Sequence, residues 1–187
     1  MTNVKLKKQE IGIVINQGMS ENRVKIAFLS IGSNLGNRKK NIELVKFKLE
    51  KNNIKIIKIS NNYETLSYPN KKNPKFINIV LKIRTNLPPY KLLQKCLEIE
   101  SDLGRVRNKK NEPRICDIDI IDYDQKIIKN NNNHNLVLPH PEMIKRNFVL
   151  LPLFEISKTW IHPIKKMNIK KLVNSLKTSE LRAIKII

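Results

Sequence analysis

The chain has 187 residues, with 37 lysines and arginines against 16 aspartates and glutamates, and a formal net charge of +21 at pH 7. This length predicts one domain with a sizeable core, and no apolar run approaches the roughly 18 residues that a membrane-spanning helix needs. The two cysteines, Cys96 and Cys116, lack the spacing of a disulfide framework or a zinc site, which favours reduced thiols in a cytoplasmic protein.

The excess positive charge is distributed along the entire chain. Lysine, asparagine and isoleucine are frequent throughout, as in the stretches KIIKIS and NNNHN. Aromatic residues are seldom interleaved with these lysines, so the pattern is not typical of a nucleic-acid-binding surface. We therefore expect no specific nucleic-acid partner, while the positive field should help to attract an anionic ligand.

Residues 1–24 precede the first predicted strand and contain one short apolar run, IGIVI, between polar stretches. They lack the serines and arginines of a typical transit peptide. A second methionine, Met19, opens the stretch MSENRVKIAFLSIGSNLG. We expect residues 1–24 to be an N-terminal extension that is either disordered or, if synthesis begins at Met19, not translated. Residues 25–187 are expected to form a single domain.

Five elements are predicted in the first half of the chain. Residues 25–31 are apolar and end at the turn-forming sequence GSNLGN, which predicts a strand. Residues 41–50 have apolar positions at helical spacing, which predicts a helix. Alternating patterns predict strands over residues 54–66 and 76–84, and a Pro-Pro pair begins a predicted helix over residues 88–103.

Residues 104–119 read GRVRNKKNEPRICDID and end in a predicted strand that carries Asp117 and Asp119. Side chains two positions apart on a strand share a face, so both carboxylates should point the same way. Such a pair repels unless a cation lies between them, and Mg²⁺ typically takes one or two protein carboxylates plus substrate phosphates. Guanidinium groups complement phosphate, and the segment contains three: Arg105, Arg107 and Arg114. This arrangement indicates a magnesium polyphosphate site, with a solvated strand end beside a basic loop as the alternative.

Short helices are predicted over residues 141–145, 147–155 and 168–176. The elements before them follow the order βαββαβ. That order predicts an α+β fold, with a ferredoxin-like split-βαβ sheet, helices on one face of the sheet and extra C-terminal helices. The fold class does not itself imply a function, but the absence of a GxxxxGK[ST] stretch excludes a P-loop kinase.

Several separated segments resemble one known family. The stretches AFLSIGSNLGNR, GRVR, PRICDIDI and LVLPHPEMIKRNFVLLPLFEI occur in the order found in the 6-hydroxymethyl-7,8-dihydropterin pyrophosphokinases of folate biosynthesis. The resemblance extends from about residue 26 to residue 174. It implies an ATP- and Mg²⁺-dependent enzyme that transfers diphosphate from ATP to 6-hydroxymethyl-7,8-dihydropterin and releases AMP, with two Mg²⁺ ions accompanying the ATP.

The resemblance also implies a role for each matching residue. The metal ligands would be Asp117 and Asp119, and the catalytic arginines that neutralise the transferred group would be Arg105 and Arg114. The ATP-binding residues would be Glu100, Arg107, His140 and Arg146. The pterin-binding residues would be Gly32, Asn34, Thr65, Leu66, Phe76, Asn78 and Phe148. Read without the resemblance, the two phenylalanines would be core residues, His140 a turn histidine and Arg146 a surface charge.

Two other functions remain open at this stage. One is a ferredoxin-like nucleic-acid-binding protein that contacts phosphates through its lysines. The other is a degenerate family member that binds ATP without turnover, because the segment after Arg107 lacks the family's arginine-tryptophan pair. The family reading implies two small-molecule partners, ATP and the pterin, no membrane association and a monomeric protein in the cytoplasm.

Overall fold

The computed structural model describes residues 23–105, 112–129 and 135–187. It is an α+β protein in which every pairing between the described strands is antiparallel. The strand order is β5-β1-β4-β3-β6, and β2 pairs with β4 next to β3. The six strands are β1 (Lys25–Ser33), β2 (Lys55–Ile59), β3 (Tyr63–Thr65), β4 (Phe76–Thr85), β5 (Asp117–Tyr123) and β6 (Ile184–Ile186).

The described residues form one short 3₁₀ helix, Met143–Lys145, and five α-helices. Helix α1 begins where the Asn37 side chain accepts a hydrogen bond from the Lys40 amide, and α2 begins with a proline, which has no amide to leave unpaired. The α-helices are α1 (Arg38–Lys51), α2 (Pro89–Asp102), α3 (Asn147–Ile156), α4 (Ile169–Asn174) and α5 (Thr178–Arg182).

One face of the sheet packs against α1 and α2. Alternate residues of the central strands point into this core, because successive side chains of a strand lie on opposite faces. The alternating pattern that predicted a strand over residues 76–84 corresponds to β4, whose Ile77, Ile79, Leu81 and Ile83 are all buried here. Helix α2 contributes Leu92, Cys96 and Ile99 to the same core. This packing fixes which residues of each strand point to the opposite face.

The opposite face carries a second core. Phe28, Val80 and Ile121 pack there against residues of α3 and α4, including Val149 and Leu172. Helices therefore lie on both faces of the sheet, so the prediction that helices cover one face only was wrong. The sequence FVLLPLFEI makes α3 apolar on several sides, and the helix is largely buried. It packs against strands that are apolar on both faces at these positions. At the end of this face that carries Asp117 and Asp119, side chains remain partly exposed.

The predicted strand over residues 54–66 is divided into β2 and β3. Between them, Ser60 Oγ accepts a hydrogen bond from the Val80 amide (2.9 Å), and the Asn61 amide donates to both carboxylate oxygens of Glu155 (3.1 Å). These polar contacts replace regular pairing at the break. Helix α5 and strand β6 were not predicted, because segments of three to five residues show no reliable periodicity.

Both cysteines are buried and free, as expected for packing residues. Cys96 and Cys116 belong to the core on the α1 and α2 side. Within residues 23–105, 112–129 and 135–187, no helix combines the length and the apolar character needed to cross a bilayer.

Asp122 forms a buried polar link between β5 and the segment that follows α3. Its Oδ2 accepts hydrogen bonds from Trp160 Nε1 (2.9 Å) and Gln125 Nε2 (2.8 Å). Its Oδ1 is buried without a hydrogen-bond partner among the described residues. Burial raises the pKa of Asp122, and the hydrogen bonds from Trp160 and Gln125 only partly oppose this rise.

Substituting Asp122→Asn should change how stability depends on pH. The folded-state pKa lies above the ordinary value of 3.8, so the folded wild type binds this proton more tightly than the unfolded chain. Its stability relative to the variant should therefore fall as pH rises from near 3.8 through the raised pKa. Urea unfolding, followed by circular dichroism at several pH values, measures this difference. A difference that does not change with pH would contradict the assignment.

Candidate active site

The exposed end of the second face brings three strands side by side. In the register of the sheet, Gly32 of β1 lies opposite Asn78 of β4 and opposite Asp117 of β5. These three positions face away from the α1 and α2 core, because successive strand positions alternate between the two faces. Their neighbours along the strands, including Ile31 and Ile118, lie in that core. A glycine, an amide and a carboxylate therefore form one row across the sheet.

Asp117 and Asp119 lie on this face as predicted from their spacing. Their side chains are 25% and 35% exposed, so both carboxylates reach the surface. Burial and the neighbouring charge of Asp117 raise the pKa of Asp119, against the opposing influence of His140 and Arg146. Among the described residues, no cluster of three or more His, Cys, Asp or Glu side chains forms a metal site. Two carboxylates with open sides fit Mg²⁺, which takes its remaining ligands from water and substrate phosphates.

Arg105 is held between two carboxylates at the end of α2. Its Nη1 donates to Glu100 Oε1 and to Asp117 Oδ1, each at 2.5 Å. Glu100 Oε1 also accepts from the Ile118 amide at 2.7 Å, and this side chain is only 2% exposed. Burial lowers the pKa of Arg105, but the charges of Asp117 and Glu100 outweigh it and the net pKa is raised. Glu100 therefore lies behind Arg105 and orients its guanidinium group.

Arg114 approaches the same carboxylate from the other side of the row. Its Nε lies 3.2 Å from Asp117 Oδ2, and its guanidinium carbon lies 5.3 Å from the centre of the Phe76 ring. The Nε contact is an ion pair without hydrogen-bond geometry, since this atom is buried with no hydrogen-bond partner in the described part of the chain. Arg114 thus connects the carboxylates to the aromatic end of the site.

Asp119 faces His140 and Arg146. Arg146 Nη1 donates to Asp119 Oδ2 at 3.0 Å, and His140 Nε2 lies 3.8 Å from the same oxygen. His140 Nδ1 accepts a hydrogen bond from the Glu142 amide (3.2 Å), which places the ring proton of the neutral tautomer on Nε2, towards Asp119. Burial lowers the pKa of His140. A neutral donor and a cation therefore flank the second carboxylate.

Four of the residues predicted to hold the pterin lie together at the other end of the row: Gly32, Thr65, Phe76 and Asn78. Asn78 Nδ2 donates to Thr65 Oγ1 at 2.9 Å, and both residues are buried. A Cβ atom on Gly32 would lie 3.0 Å from Asn78 Oδ1 and 3.4 Å from the Phe76 ring. A methyl group at Gly32 would therefore require the Asn78 amide or the Phe76 ring to shift by a few tenths of an ångström.

The remaining predicted residues lie at different depths. Phe148 is half-buried on α3, with the guanidinium carbon of Arg146 at 5.7 Å from its ring centre. Leu66 is exposed beyond the end of β3. Asn34 is buried and bonds to the backbone of Arg114 rather than facing the open site. Arg107 lies outside the described residues.

Two contributors to the site were not identified from the sequence. Ser67 is buried and accepts a hydrogen bond from Asn34 Nδ2 (3.2 Å). Arg38 donates to Glu64 Oε1 (3.1 Å) and to the Lys75 carbonyl oxygen (2.9 Å), which ties α1 to the segment between β3 and β4. No local pattern reveals these contacts, because each depends on how distant segments fold together.

Comparisons with known proteins identify one family. Residues 28–158 match the family model described as 7,8-dihydro-6-hydroxymethylpterin-pyrophosphokinase. The chain is 39% identical over 152 residues to the 2-amino-4-hydroxy-6-hydroxymethyldihydropteridine pyrophosphokinase of Aquifex aeolicus, covering 80% of this chain and 92% of that protein. It is 37% identical over 167 residues to the folic acid synthesis protein fol1 of Pneumocystis carinii, covering 88% of this chain and 22% of that protein.

The chain therefore spans about a fifth of the length of the first curated relatives, the fol1 proteins, and nearly all of the Aquifex aeolicus enzyme. A solved structure of the Plasmodium falciparum HPPK-DHPS protein shares the fold, with a TM-score of 0.67 at 18% identity over 89% of this chain and 48% of that one. The match of the family model to residues 28–158 and the identity to the Aquifex aeolicus protein over most of both chains establish the relationship. The chain belongs to the 7,8-dihydro-6-hydroxymethylpterin-pyrophosphokinase family.

Proposed function

We propose that this chain transfers the diphosphate group of ATP to 6-hydroxymethyl-7,8-dihydropterin, with AMP as the second product, in folate biosynthesis. One observation carries the proposal: Asp117 and Asp119 share an exposed face and are flanked by cations on both sides. Such an arrangement suits a polyphosphate with its magnesium, and family membership supplies the class of acceptor.

We assign the substrates to the two ends of the row. Arg105, Arg107, His140 and Arg146, with Glu100 orienting Arg105, would hold the ATP phosphates and nucleotide. Phe76 and Phe148 would stack on the two faces of the pterin ring. Asn78 would bond its edge through an amide that can both donate and accept. Gly32, Thr65 and Leu66 would complete that end, with Asn34 behind them.

In the proposed reaction, the hydroxymethyl oxygen of the pterin attacks the β-phosphorus of ATP. A new oxygen–phosphorus bond forms as the bond between the β-phosphorus and the oxygen bridging to the α-phosphorus breaks. AMP leaves with that bridging oxygen, and the hydroxyl proton of the pterin is released to water. Arg105 and Arg114 would neutralise charge on the transferred group and keep the reacting atoms aligned. We expect no covalent enzyme intermediate, and trapping a phosphorylated form of the protein would contradict this expectation.

Asp117 and Asp119 would hold Mg²⁺, for which we propose two ions bound together with ATP. When bound, these ions would supply additional positive charge at the phosphates. Asp119 is held in place for this role by Arg146 and His140, and Asp117 by Arg105 and Arg114.

Substituting Gly32→Ala should raise the KM for the pterin by about tenfold or more, because overpacking of this kind costs about 1–3 kcal/mol. The added Cβ would displace the Asn78 amide, from which it would lie 3.0 Å. The KM for ATP should change little. Gly36→Asn is the matched control, since nothing lies within 4 Å of a Cβ there and asparagine tolerates its positive φ of 63°. An unchanged pterin KM in Gly32→Ala would contradict the assignment of this end of the row.

The proposed function is tested by measuring nucleotide products from ATP and Mg²⁺, with and without 6-hydroxymethyl-7,8-dihydropterin. AMP that appears only with the pterin is the expected result. ADP formation would mean that the γ-phosphoryl group is transferred instead. ATP binding without turnover would indicate a degenerate family member.

We also propose the finer description of the molecule as a ferredoxin-like split-βαβ domain formed by residues 25–187 that acts as a monomer in the cytoplasm. The position of β1 between β5 and β4, with α1 and α2 on one face, supports the fold assignment. The two free, buried cysteines are compatible with a reducing compartment. The net charge of +21 disfavours self-association.

A further inference from the structure

The side-chain amide of Asn34, the residue that follows β1, forms its hydrogen bonds with other groups of the protein. The residue is 2% exposed. Its Oδ1 accepts a hydrogen bond from the Arg114 amide (2.7 Å), and its own backbone amide donates to the Arg114 carbonyl oxygen (3.2 Å). Its Nδ2 donates to Ser67 Oγ and to the Pro74 carbonyl oxygen, both at 3.2 Å. Both protons of Nδ2 are thus used, and none remains for a pterin.

These contacts join two segments that serve different ends of the site. On one side, Asn34 holds the backbone of Arg114 through two hydrogen bonds, while the guanidinium group of Arg114 lies between Asp117 and the Phe76 ring. On the other side, it holds both ends of residues 67–74, the connection between β3 and β4. Ser67 Oγ donates in turn to the Pro74 carbonyl oxygen (2.5 Å), which closes this connection on itself.

Only an asparagine can make this set of contacts at this distance. The Arg114 amide requires an acceptor, whereas the Pro74 carbonyl oxygen requires a donor. An aspartate keeps the acceptor and loses both donors. An alanine loses every side-chain bond but leaves the backbone bond to the Arg114 carbonyl oxygen.

We infer that Asn34 is a positioning residue that couples the pterin-side connection, residues 67–74, to the catalytic arginine Arg114. The inference rests on the proposed function and changes the role of Asn34 from a pterin contact to a link between the two ends of the site. One side chain thus holds both segments: its acceptor fixes the Arg114 backbone, and its two donors fix the connection on the pterin side.

Three variants separate the two halves of the link. Asn34→Asp keeps the acceptor for Arg114, so kcat should stay within about threefold of wild type while the pterin KM rises about tenfold, the effect of losing one or two buried hydrogen bonds. Ser67→Ala removes a partner of Asn34 on the pterin side only, so it should also raise the pterin KM and leave kcat almost unchanged. Asn34→Ala should raise the pterin KM and also lower kcat about tenfold or more. Equal effects of Asn34→Asp and Asn34→Ala on kcat would overturn the coupling.

A double-mutant cycle tests whether the kcat effect of Asn34→Ala acts through Arg114. If it does, Asn34→Ala should lower kcat much less in an Arg114→Ala background than in wild type, because effects of directly coupled residues are not additive. Asn52→Ala is the matched control: its Nδ2 bonds to the Lys48 carbonyl oxygen (2.8 Å) within the α1 segment and not to the segment that carries Arg114. Its effect should be additive with Arg114→Ala. If the effects of Asn34→Ala and Arg114→Ala on kcat were fully additive, Asn34 would act as a general stabilising residue and not through Arg114.

Hydrogen exchange gives a readout that does not require turnover. The Arg114 amide should be protected in wild type and in Asn34→Asp but exchange faster in Asn34→Ala. Unchanged exchange in Asn34→Ala would overturn the inference even in an active enzyme. If wild type formed no pterin-dependent AMP but showed this exchange pattern, the proposed function would fail while the link itself would stand.

Discussion

Substituting Asp119→Ala should abolish Mg²⁺-dependent turnover, with a loss of about 10³-fold or more, since a bound metal supplies several kcal/mol of transition-state stabilisation. Asp119 shares the exposed face of β5 with Asp117 and has no other carboxylate to replace it in the described site. The variant should still fold, because the carboxylate is unfavourably placed by burial and by the charge of Asp117. Steady-state AMP formation over a range of Mg²⁺ concentrations measures the effect.

Two control variants test whether the loss of activity comes from the charge of Asp119 and from its position in the site. Asp119→Asn keeps the shape of the side chain and should also be severely impaired, which would show that charge matters and not packing. Asp124→Asn changes an aspartate just beyond β5 that pairs with Lys25 at 3.2 Å, and should retain activity. A protein that binds nucleic acid through its lysines would be almost unaffected by Asp119→Ala, and activity near that of wild type would exclude the proposed metal site.

Substituting Arg105→Ala should reduce both stability and activity. Glu100 is buried, and removing Arg105 takes away a charge-assisted hydrogen bond to it, which should cost about 1.5–3 kcal/mol of folding free energy. An arginine that stabilises a transferred phosphoryl group is worth about 10³–10⁵ in kcat. Urea unfolding and AMP formation measure the two effects separately.

The double variant Arg105→Ala with Glu100→Gln distinguishes these roles. The neutral glutamine side chain removes the buried charge and retains an oxygen that can accept the hydrogen bond from the Ile118 amide. Much of the lost stability should therefore return, while activity should not. If activity returned together with stability, Arg105 would be a structural residue and not one that contacts the transferred group.

The features that could be predicted from the sequence depend on local spacing. The shared face of Asp117 and Asp119 follows from the two-residue period of a strand, wherever that strand lies in the sheet. The alternation of Ile77, Ile79 and Leu81 likewise identified the buried face of β4. Regular periodicity also located α1 and α2, although the boundaries differ from the prediction by up to three residues.

The features that sequence reasoning missed depend on contacts between distant segments. Asn34 bonds to residues 33, 40 and 80 positions away, and no local pattern indicates these partners. The contact of Glu100 with Arg105 likewise depends on the packing of α2 on β5, and its predicted role in nucleotide binding stays a prediction. Trp160 was given no role, yet it bonds to Asp122 at a separation of 38 residues. Periodicity alone also could not show that α3 packs on the second face of the sheet.

The most direct test of the proposed reaction follows the β-phosphorus of ATP. Wild-type protein is incubated with Mg²⁺, 6-hydroxymethyl-7,8-dihydropterin and ATP labelled with ³²P at the β position, and the products are separated. We expect the label to move to the pterin, as its diphosphate, in amounts equal to the unlabelled AMP released. Label that stays in ADP while the γ-phosphate moves, or label released as inorganic phosphate or diphosphate without a pterin product, would contradict diphosphate transfer by this site.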